Sequence, residues 1–376
     1  MNKLIIVGNG FDLHNKLPTK YEDFLSWFLK KEFEKAINHT TYSNDFFTVF
    51  CYKEPSTKSI ELNDFSEILN YLPKMNITLQ GKKLSYFTIN GKSYRIQIQF
   101  ISEFFKAISF QYQSKKWVDI EMEYYTLLRY CLDQYKGDHG THRLKKLNEG
   151  LYILKNQLCD YLAEVSEKKQ VNSNFYYCAK ANINPDIIMD KHHLKKLSKD
   201  DFSNDLHISP QKVLFLNFNY TGLTYEIQNE PNFKTIDIHG KLGDVYNPPI
   251  FGYGDEIDDS YFEMEKLNEN DFLLHIKSFG YFANSNYSEL VNFLESDSFV
   301  VNIWGHSCGL SDRTLLNMIF EHNNCAAIQP YYWQKDANSD DYNFITQNIS
   351  RHFKNKQKMR SRVVNKSLCR SLGNQQ

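Results

Sequence analysis

The sequence has few cysteines for its length, and they are scattered. Its 376 residues include 7 cysteines, an odd number, and no two of them form a Cys-x-x-Cys pair. This pattern argues against a disulfide framework and a cysteine-based zinc module, and it predicts a protein of a reducing, cytoplasmic compartment. Glycine and proline, at 16 and 9 residues, are also below their usual share, which excludes collagen-like and proline-rich architectures.

Long hydrophobic runs and an excess of one charge are also missing. The sequence contains no run of 18 apolar residues, which is the length needed to span a membrane. The apolar run at residues 4–7 is too short for the core of a signal peptide. Lysine and arginine number 44 against 45 aspartate and glutamate, so no net charge attracts the chain to nucleic acid or to a membrane. The chain is 41% hydrophobic and 15% aromatic, enough for one large or two modest domains.

Short apolar runs rich in Ile, Val and Phe predict buried strands. They lie at residues 3–7, 212–217, 235–238, 298–304 and 326–330. The 3, 4 spacing of apolar residues predicts a helix that begins near Lys20, and Ser311 is expected to cap a helix that runs to about His322. Strands interleaved with helices predict an α/β fold with a parallel sheet.

Residues 36–210 differ from the rest of the chain. Asn90-Gly91 between the segments 84–89 and 92–100 predicts a β-hairpin. Helical periodicity covers 101–112, 118–135 and 149–168, and the glycines at 137 and 140 mark a loop. The sequence therefore predicts a discontinuous domain of residues 1–35 and 211–350 and a mainly helical insertion, 36–210, that carries the hairpin. A basic tail, 351–376, follows, with eight Lys or Arg and no acid; it is either solvated surface or a phosphate-binding segment.

The first predicted strand ends in Gly8-Asn9-Gly10. The amides of such a turn can approach a phosphate closely, because glycine adds no side chain. The G-x-G-x-x-G pattern is incomplete, and the helix is predicted to start late, near residue 20. Asp12 would repel phosphate, so it fits better on a ribose hydroxyl or a water. A purely structural turn is the alternative.

Two other predicted strands also end in polar residues. Asn219 lies in an Asn-Phe-Asn-Tyr segment, which suits a sugar or an amide-bearing base, with an Asx-turn as the alternative. His239 precedes a glycine, so we expect it to be exposed and, with an ordinary pKa of about 6.5, suited to act as a general base. An ordinary hydrogen-bonded histidine is the alternative.

The segment 305–309, Gly-His-Ser-Cys-Gly, matches a G-x-S-x-G nucleophile elbow. A nucleophilic Ser307 would need a later histidine, yet His322 falls at the far end of its helix and His352 opens the basic tail. We therefore expect Gly305, Ser307 and Asp312 to contact a ligand, with Ser307 as a hydroxyl group and not a nucleophile. No histidine spacing indicates a metal site.

These motifs resemble, in the same order, those of the AbiH family of phage abortive-infection proteins. The resemblance is carried by IIVGNGFDLH at residues 5–14 and by the segments 17–24, 117–121, 218–221, 238–240 and 305–307. The AbiH pattern is in turn similar to sirtuin-like domains, which implies a Rossmann-like nucleotide-binding fold, with helices on both faces of its sheet, and NAD as ligand. By this resemblance Asn219 binds ribose or positions water and His239 is the base. The missing cysteine pairs disfavour deacylation of protein lysines.

The resemblance implies an anti-phage abortive-infection effector that cleaves the nicotinamide–ribose bond of NAD or of a related nucleotide. Gly8 to Gly10 would hold the diphosphate, and Ser307 and Asp312 would face the adenosine side. There are two alternatives. One is a non-catalytic nucleotide sensor that gates a partner, and the other is a nucleic-acid-targeting toxin that acts through the basic tail and the aromatic-rich insertion. The expected partners are a nucleotide, a phage trigger or a neighbouring defence protein, and a second copy of the chain, with no metal and no membrane.

Overall fold

The computed structural model describes residues 1–56, 58–76, 86–115, 119–135, 137–167, 170–203 and 206–372. The strands are β1 (Asn2–Val7), β2 (Thr41–Ser43), β3 (Phe47–Lys53), β4 (Ile60–Leu62), β5 (Tyr86–Ile89), β6 (Lys92–Phe100), β7 (Val213–Asn217), β8 (Phe233–Asp237), β9 (Phe299–Trp304) and β10 (Cys325–Tyr331). The α-helices are α1 (Asn9–His14), α2 (Tyr21–Ala36), α3 (Leu72–Met75), α4 (Glu103–Lys115), α5 (Ile120–Asp133), α6 (Gly137–Ser166), α7 (Asn174–Lys180), α8 (Asp259–Lys266), α9 (Lys277–Gly280), α10 (Asn286–Ser296), α11 (Arg313–Glu321), α12 (Tyr342–Arg351) and α13 (Lys356–Arg362). Short 3-10 helices cover Phe65–Asn70, Pro185–Ile187, Lys199–Asp201, Leu223–Ile227, Asn270–Phe272, Leu310–Asp312 and Lys366–Leu368. No helix within the described ranges is long and apolar enough to cross a membrane.

The chain divides into two compact units, each discontinuous in sequence. Unit 1 comprises Met1–Pro18, Leu162–Phe262 and Ile276–Gln376, and unit 2 comprises Thr19–Tyr161 and Glu263–His275. Residues 19–35, predicted to accompany the first strand, thus group with unit 2. Residues 162–210, predicted in the insertion, group with unit 1.

Unit 1 contains a five-stranded, all-parallel sheet in the order β10-β9-β1-β7-β8. Strands β1 and β9 are buried along their whole length, as expected when helices cover both faces. Leu4 and Ile6 of β1 pack with apolar residues of α10 and α11. Ile5 and Val7, which point to the opposite face, pack with α1 and α7. The predicted α/β fold with a Rossmann-like parallel sheet is confirmed.

The strand order reverses direction at β1. The chain proceeds outward from β1 to β7 and β8, and then returns to add β9 and β10 on the other side. In register, Val7 pairs with Asn217 and with Trp304, and Asn217 pairs with Asp237. Four strands therefore end at one level, which we call the carboxyl edge. The topological switch point, where the strand order reverses, lies between β1 and β9.

The first helix begins earlier than the sequence predicts. Helix α1 starts directly after Gly8, whose carbonyl accepts a hydrogen bond from Phe11 N–H at 2.9 Å. With six residues, α1 is too short to show periodicity in the sequence. The next helix, predicted near Lys20, is confirmed as α2, and the carboxylate of Asp23 accepts a hydrogen bond from Lys20 N–H at 3.3 Å.

Unit 2 contains a second sheet, in the order β2-β3-β6-β5-β4. The predicted hairpin is confirmed as β5 and β6, with Asn90 and Gly91 at φ 52° and 72°; residues 84 and 85 of the first predicted strand lie outside the described ranges. Only this hairpin was predicted, although the aromatic and β-branched residues of β3 could have indicated a further strand. The loop predicted at 137–140 is wrong, since those residues form the first turn of α6.

The basic segment after residue 350 is folded onto the parallel sheet. Phe353, Val364 and Leu372 are buried. Val363 forms a β-bridge with Ile328 of β10. The described part of this segment is therefore part of the core of unit 1, although its lysines are largely on the surface.

Candidate functional site

The glycine turn after β1 is held against the segment that follows β9. Gly8 N–H donates to the last carbonyl of β9 at 3.0 Å, and Gly10 N–H donates to Gly305 O at 2.8 Å. A Cβ on Gly8 would lie 2.5 Å from His306 Cα, and one on Gly10 would lie 2.7 Å from Gly305 Cα. The two glycines are therefore required for this close approach. Their amides, which were predicted to face a diphosphate, donate instead to backbone carbonyls of the protein. Asn9 between them is exposed.

Asp12 connects this turn to the end of β7. Its side chain is 1% exposed, and its two carboxylate oxygens accept hydrogen bonds from Asn219 Nδ2 at 2.9 Å and Thr221 Oγ1 at 2.8 Å. Asn219 Nδ2 also donates to Gly8 O at 3.0 Å. Both carboxylate oxygens, predicted to face a ribose hydroxyl or a water, thus receive protein donors, and Asn219 is buried beside them.

A second carboxylate network lies beside Asn219. Asn217 Nδ2 donates to Asp237 Oδ1 at 2.7 Å, and Asn217 Oδ1 accepts from Asn219 N–H at 3.1 Å. Tyr225 hydroxyl donates to Asp237 Oδ2 at 2.8 Å. Burial raises the pKa of Asp237, although the hydrogen bonds from Asn217 and Tyr225 each act to lower it. This network was not predicted, although Asn217 and Asp237 each end a strand of the parallel sheet.

His239 is buried, so the prediction of an exposed histidine is wrong. It follows β8, is 4% exposed, and stacks on Tyr281 with ring centroids 6.3 Å apart. The chain turns back at Gly240, where φ is 83° and a Cβ would lie 2.1 Å from Pro248 O. Ile250 N–H then donates to His239 O at 2.7 Å. The segment 241–250 therefore folds back toward the histidine.

The carboxylate of Asp312 lies at the centre of a buried group that we call the Asp312 cluster. Its Oδ1 is 2.9 Å from Lys277 Nζ and 3.1 Å from His239 Nε2, and its Oδ2 is 3.6 Å from His306 Nε2. The exposed fractions are 1% for Lys277, 4% for His239, 6% for His306 and 7% for Asp312. The hydroxyl of Tyr281 lies 3.3 Å from His239 Nε2.

Burial and charge set the protonation of the Asp312 cluster. Burial favours a higher pKa for Asp312, but the charge of Lys277 and the contacts of His239 and His306 hold this pKa well below its usual value. Burial lowers the pKa of His239; Lys277 acts in the same direction and Asp312 opposes it. Burial lowers the pKa of His306 to about 4. At neutral pH an ionised carboxylate therefore lies beside an ammonium group and two neutral imidazoles.

The segment 305–309 shapes one side of the cluster. Cys308 N–H donates to His306 Nδ1 at 3.0 Å, so the proton of the neutral ring is on Nε2, which faces Asp312. Gly305 and Cys308 have φ of 66° and 52°. The residue in the left-handed region is thus Cys308, and not Ser307 as an elbow at residues 305–309 would require. Ser307 is exposed, and its role as a ligand-contacting hydroxyl stays a prediction.

His352, the second residue of the predicted basic tail, is buried in the fold. The side chain is 1% exposed, and its Nε2 lies 2.9 Å from Cys308 O. Apolar residues after it, which the basic composition concealed, pack against β10 and anchor the segment.

The ring of Phe218 packs against both histidines of the Asp312 cluster. Its centroid lies 4.8 Å from that of His239 and 4.3 Å from that of His306. The structure thus brings His239 and Asp312 into contact, and it places the glycine turn against His306. Lys277 was missed because α9, where it lies, has four residues and no recognisable motif. Among the described residues, no group of three or more His, Cys, Asp or Glu side chains is arranged to hold a metal ion.

Comparison with known proteins identifies the family of this Rossmann-like protein. The family model described as bacteriophage abortive infection AbiH matches residues 4–333. That range covers the parallel sheet except for Asn2 and Lys3, together with the Asp312 cluster. The chain therefore belongs to the AbiH family, as the sequence motifs predicted. Neither the comparison with curated proteins nor that with solved structures gave a match.

Proposed function

We propose that this AbiH protein is an anti-phage effector that hydrolyses the nicotinamide–ribose bond of NAD or of a related nucleotide. The observation that carries this proposal is the Asp312 cluster, four ionisable side chains that are each at most 7% exposed. Burying charge is costly, and buried ionisable groups of this kind concentrate at functional sites. The cluster lies at the carboxyl edge, which is where open α/β sheets bind their ligands.

The chemistry of the cluster suits the cleavage of an N-glycosidic bond. Departure of nicotinamide as a neutral molecule leaves positive charge on the ribose ring, so the leaving group needs no acid. An ionised carboxylate in a low-dielectric site favours such a charge, and Asp312 would supply it. In the opened site, neutral His239 with its proton on Nδ1, toward the Phe218 carbonyl, would accept a proton from the attacking water at Nε2, and Asp312 would stabilise the imidazolium that forms. Asn219 would orient the ribose.

A nucleotide can reach these buried side chains only if part of the fold moves. We propose that the segment 241–250 opens, since it turns back toward His239 and is bounded by Gly240. Its tip residues Val245 and Tyr246 are 82% and 85% exposed, so few contacts hold the tip in place. The non-catalytic nucleotide sensor is the second candidate, because a segment that opens when a nucleotide binds would signal its presence to a partner without turnover.

Incubation of the purified protein with NAD, NADP and nucleoside triphosphates, followed by mass spectrometry of the products, tests the proposal. We expect His239→Ala to lower turnover at least about 100-fold, as for the loss of a general base, and to abolish toxicity in cells. Asn219→Ala should also inactivate the protein while it remains folded, at a cost of about 1–3 kcal/mol because Asp12 loses a buried donor. His192→Ala, an exposed histidine of unit 1, is the matched control.

The outcomes separate the candidates. Product formation that persists in His239→Ala would reject the assigned role of that residue. Nucleotide binding without turnover by the wild-type protein would favour the sensor. Neither binding nor turnover with any of these nucleotides would reject both candidates.

A further inference from the structure

The segment 305–309, which we call the site loop, is held by side chains of α12 and of the residue that follows it. Asn348 Nδ2 donates to Ser307 O at 2.7 Å. His352 Nε2 lies 2.9 Å from Cys308 O, and because a carbonyl can only accept, this ring nitrogen carries the proton. Two consecutive carbonyls of the site loop thus receive a hydrogen bond from the same helical element.

The site loop requires such support because its backbone is strained. Cys308 has φ 52° and is 1% exposed. A residue with a Cβ rarely adopts this left-handed conformation, and it persists only where the surroundings enforce it. The same residue donates its N–H to His306 Nδ1. The orientation of the His306 ring toward Asp312 therefore depends on the conformation of Cys308.

Both donors are themselves fixed in place. Arg351 donates to the amide oxygen of Asn348, which leaves the amide nitrogen of Asn348 facing Ser307. The carbonyl of His352 accepts from Asn317 Nδ2 at 2.6 Å, and its ring packs edge-to-face on Phe320 with centroids 5.8 Å apart. His352 is 1% exposed. Preorganised donors of this kind orient the groups that they contact at little entropic cost.

We propose that Asn348 and His352 are positioning residues, which hold the site loop so that His306 faces Asp312. The catalytic role of the Asp312 cluster rests on the proposed function, whereas the positioning of His306 rests on the hydrogen bonds described above. Helix α12 begins at Tyr342, after residue 333, where the match to the AbiH family model ends. A part of the chain beyond the family match thus completes the candidate site.

The test compares four variants of the full chain by two measurements. His352→Leu and Asn348→Ala remove a donor, and His352→Gln retains an amide donor directed at Cys308. Gln347→Ala, at an exposed position of α12, is the control. The ¹⁵N and ¹H resonances of the His306 imidazole report its tautomer and hydrogen bond without any ligand. Turnover of NAD reports kcat and KM.

We expect His352→Leu and Asn348→Ala to shift the His306 resonances and to lower kcat about 10-fold or more, with a smaller change in KM. His352→Gln should restore both measurements, and Gln347→Ala should change neither. If folded His352→Leu and Asn348→Ala leave the His306 resonances unchanged, the proposal is overturned. If the wild-type protein turns over no NAD, the proposed hydrolysis of NAD fails, and the His306 resonances still decide the positioning role.

Discussion

The buried ion pair between Lys277 and Asp312 allows a quantitative test of how the cluster is held together. Asp312→Asn leaves the Lys277 ammonium buried without its carboxylate. Breaking a buried pair from one side costs about 3–5 kcal/mol, because the remaining charge cannot be solvated. Lys277→Met leaves Asp312 in contact with His239 and His306. Either ring can take a proton, so we expect the smaller loss for this variant.

The double variant Asp312→Asn/Lys277→Met removes both charges and should lose less stability than the sum of the single variants. Groups in direct contact typically couple by about 0.5–3 kcal/mol, and the 2.9 Å separation in a buried site places this pair at the upper end. Urea unfolding followed by tryptophan fluorescence measures the difference, since Trp304 is buried in the sheet of unit 1.

Lys366 and Asp340 provide a control, because Lys366 Nζ is paired with Asp340 Oδ2 while its side chain is 51% exposed. Lys366→Met should cost less than about 1 kcal/mol, as exposed pairs do. Losses that add within about 0.5 kcal/mol in the Asp312→Asn/Lys277→Met cycle would refute the reasoning, since the two charges would then contribute independently.

Two further predictions concern acidification and the close approach of backbone. The pKa of His306 is about 4 in the folded protein and about 6.5 in the unfolded chain. On acidification the unfolded chain therefore binds the proton first. The free energy of unfolding should fall as the pH drops from 6.5 toward 4, by about 2 kcal/mol between pH 7 and 4.5. His306→Gln should reduce that fall in urea midpoints measured at both pH values, and an unchanged fall would contradict the assignment. Gly305 and Gly91 both have positive φ, but a Cβ would lie 2.2 Å from a backbone nitrogen at Gly305 and meet nothing within 4 Å at Gly91. Gly91→Ala should lower the free energy of unfolding by about 1 kcal/mol and Gly305→Ala by at least about 3 kcal/mol. Equal shifts of the urea midpoint in the two variants would show that the backbone approach at Gly305 is not tight.

The strands of the parallel sheet could be located from local sequence. Each is short and, except for the edge strand β8, almost wholly apolar and buried on both faces, and the predicted bounds fall within two residues of those observed. The helix α2 was found in the same way, because its buried face repeats at the helical period. Helix α1 and strand β3 were missed, because the helix has only six residues and β3 lies in a segment interpreted as mainly helical.

The polar residues at strand ends could be named from the sequence, but their environment could not. His239 and Asp312 are 73 positions apart, and the order of strands in the sheet brings their side chains to 3.1 Å. The burial of His239 depends on the return of the segment 241–250, which a local pattern of Pro and Gly does not predict. Exposure, and with it the direction of the pKa shift, is a property of the packed fold.

Local composition therefore determines where the strands of the parallel sheet and several helices of this AbiH protein lie, because backbone periodicity and side-chain hydrophobicity act over a few residues. Tertiary packing determines that Lys277 pairs with Asp312 and that His352, in a segment whose composition is that of a basic tail, supports Cys308. These contacts join residues 35 and 44 positions apart. A hydrogen bond or an ion pair between them depends on which elements lie side by side, and that arrangement follows from how the whole hydrophobic core packs.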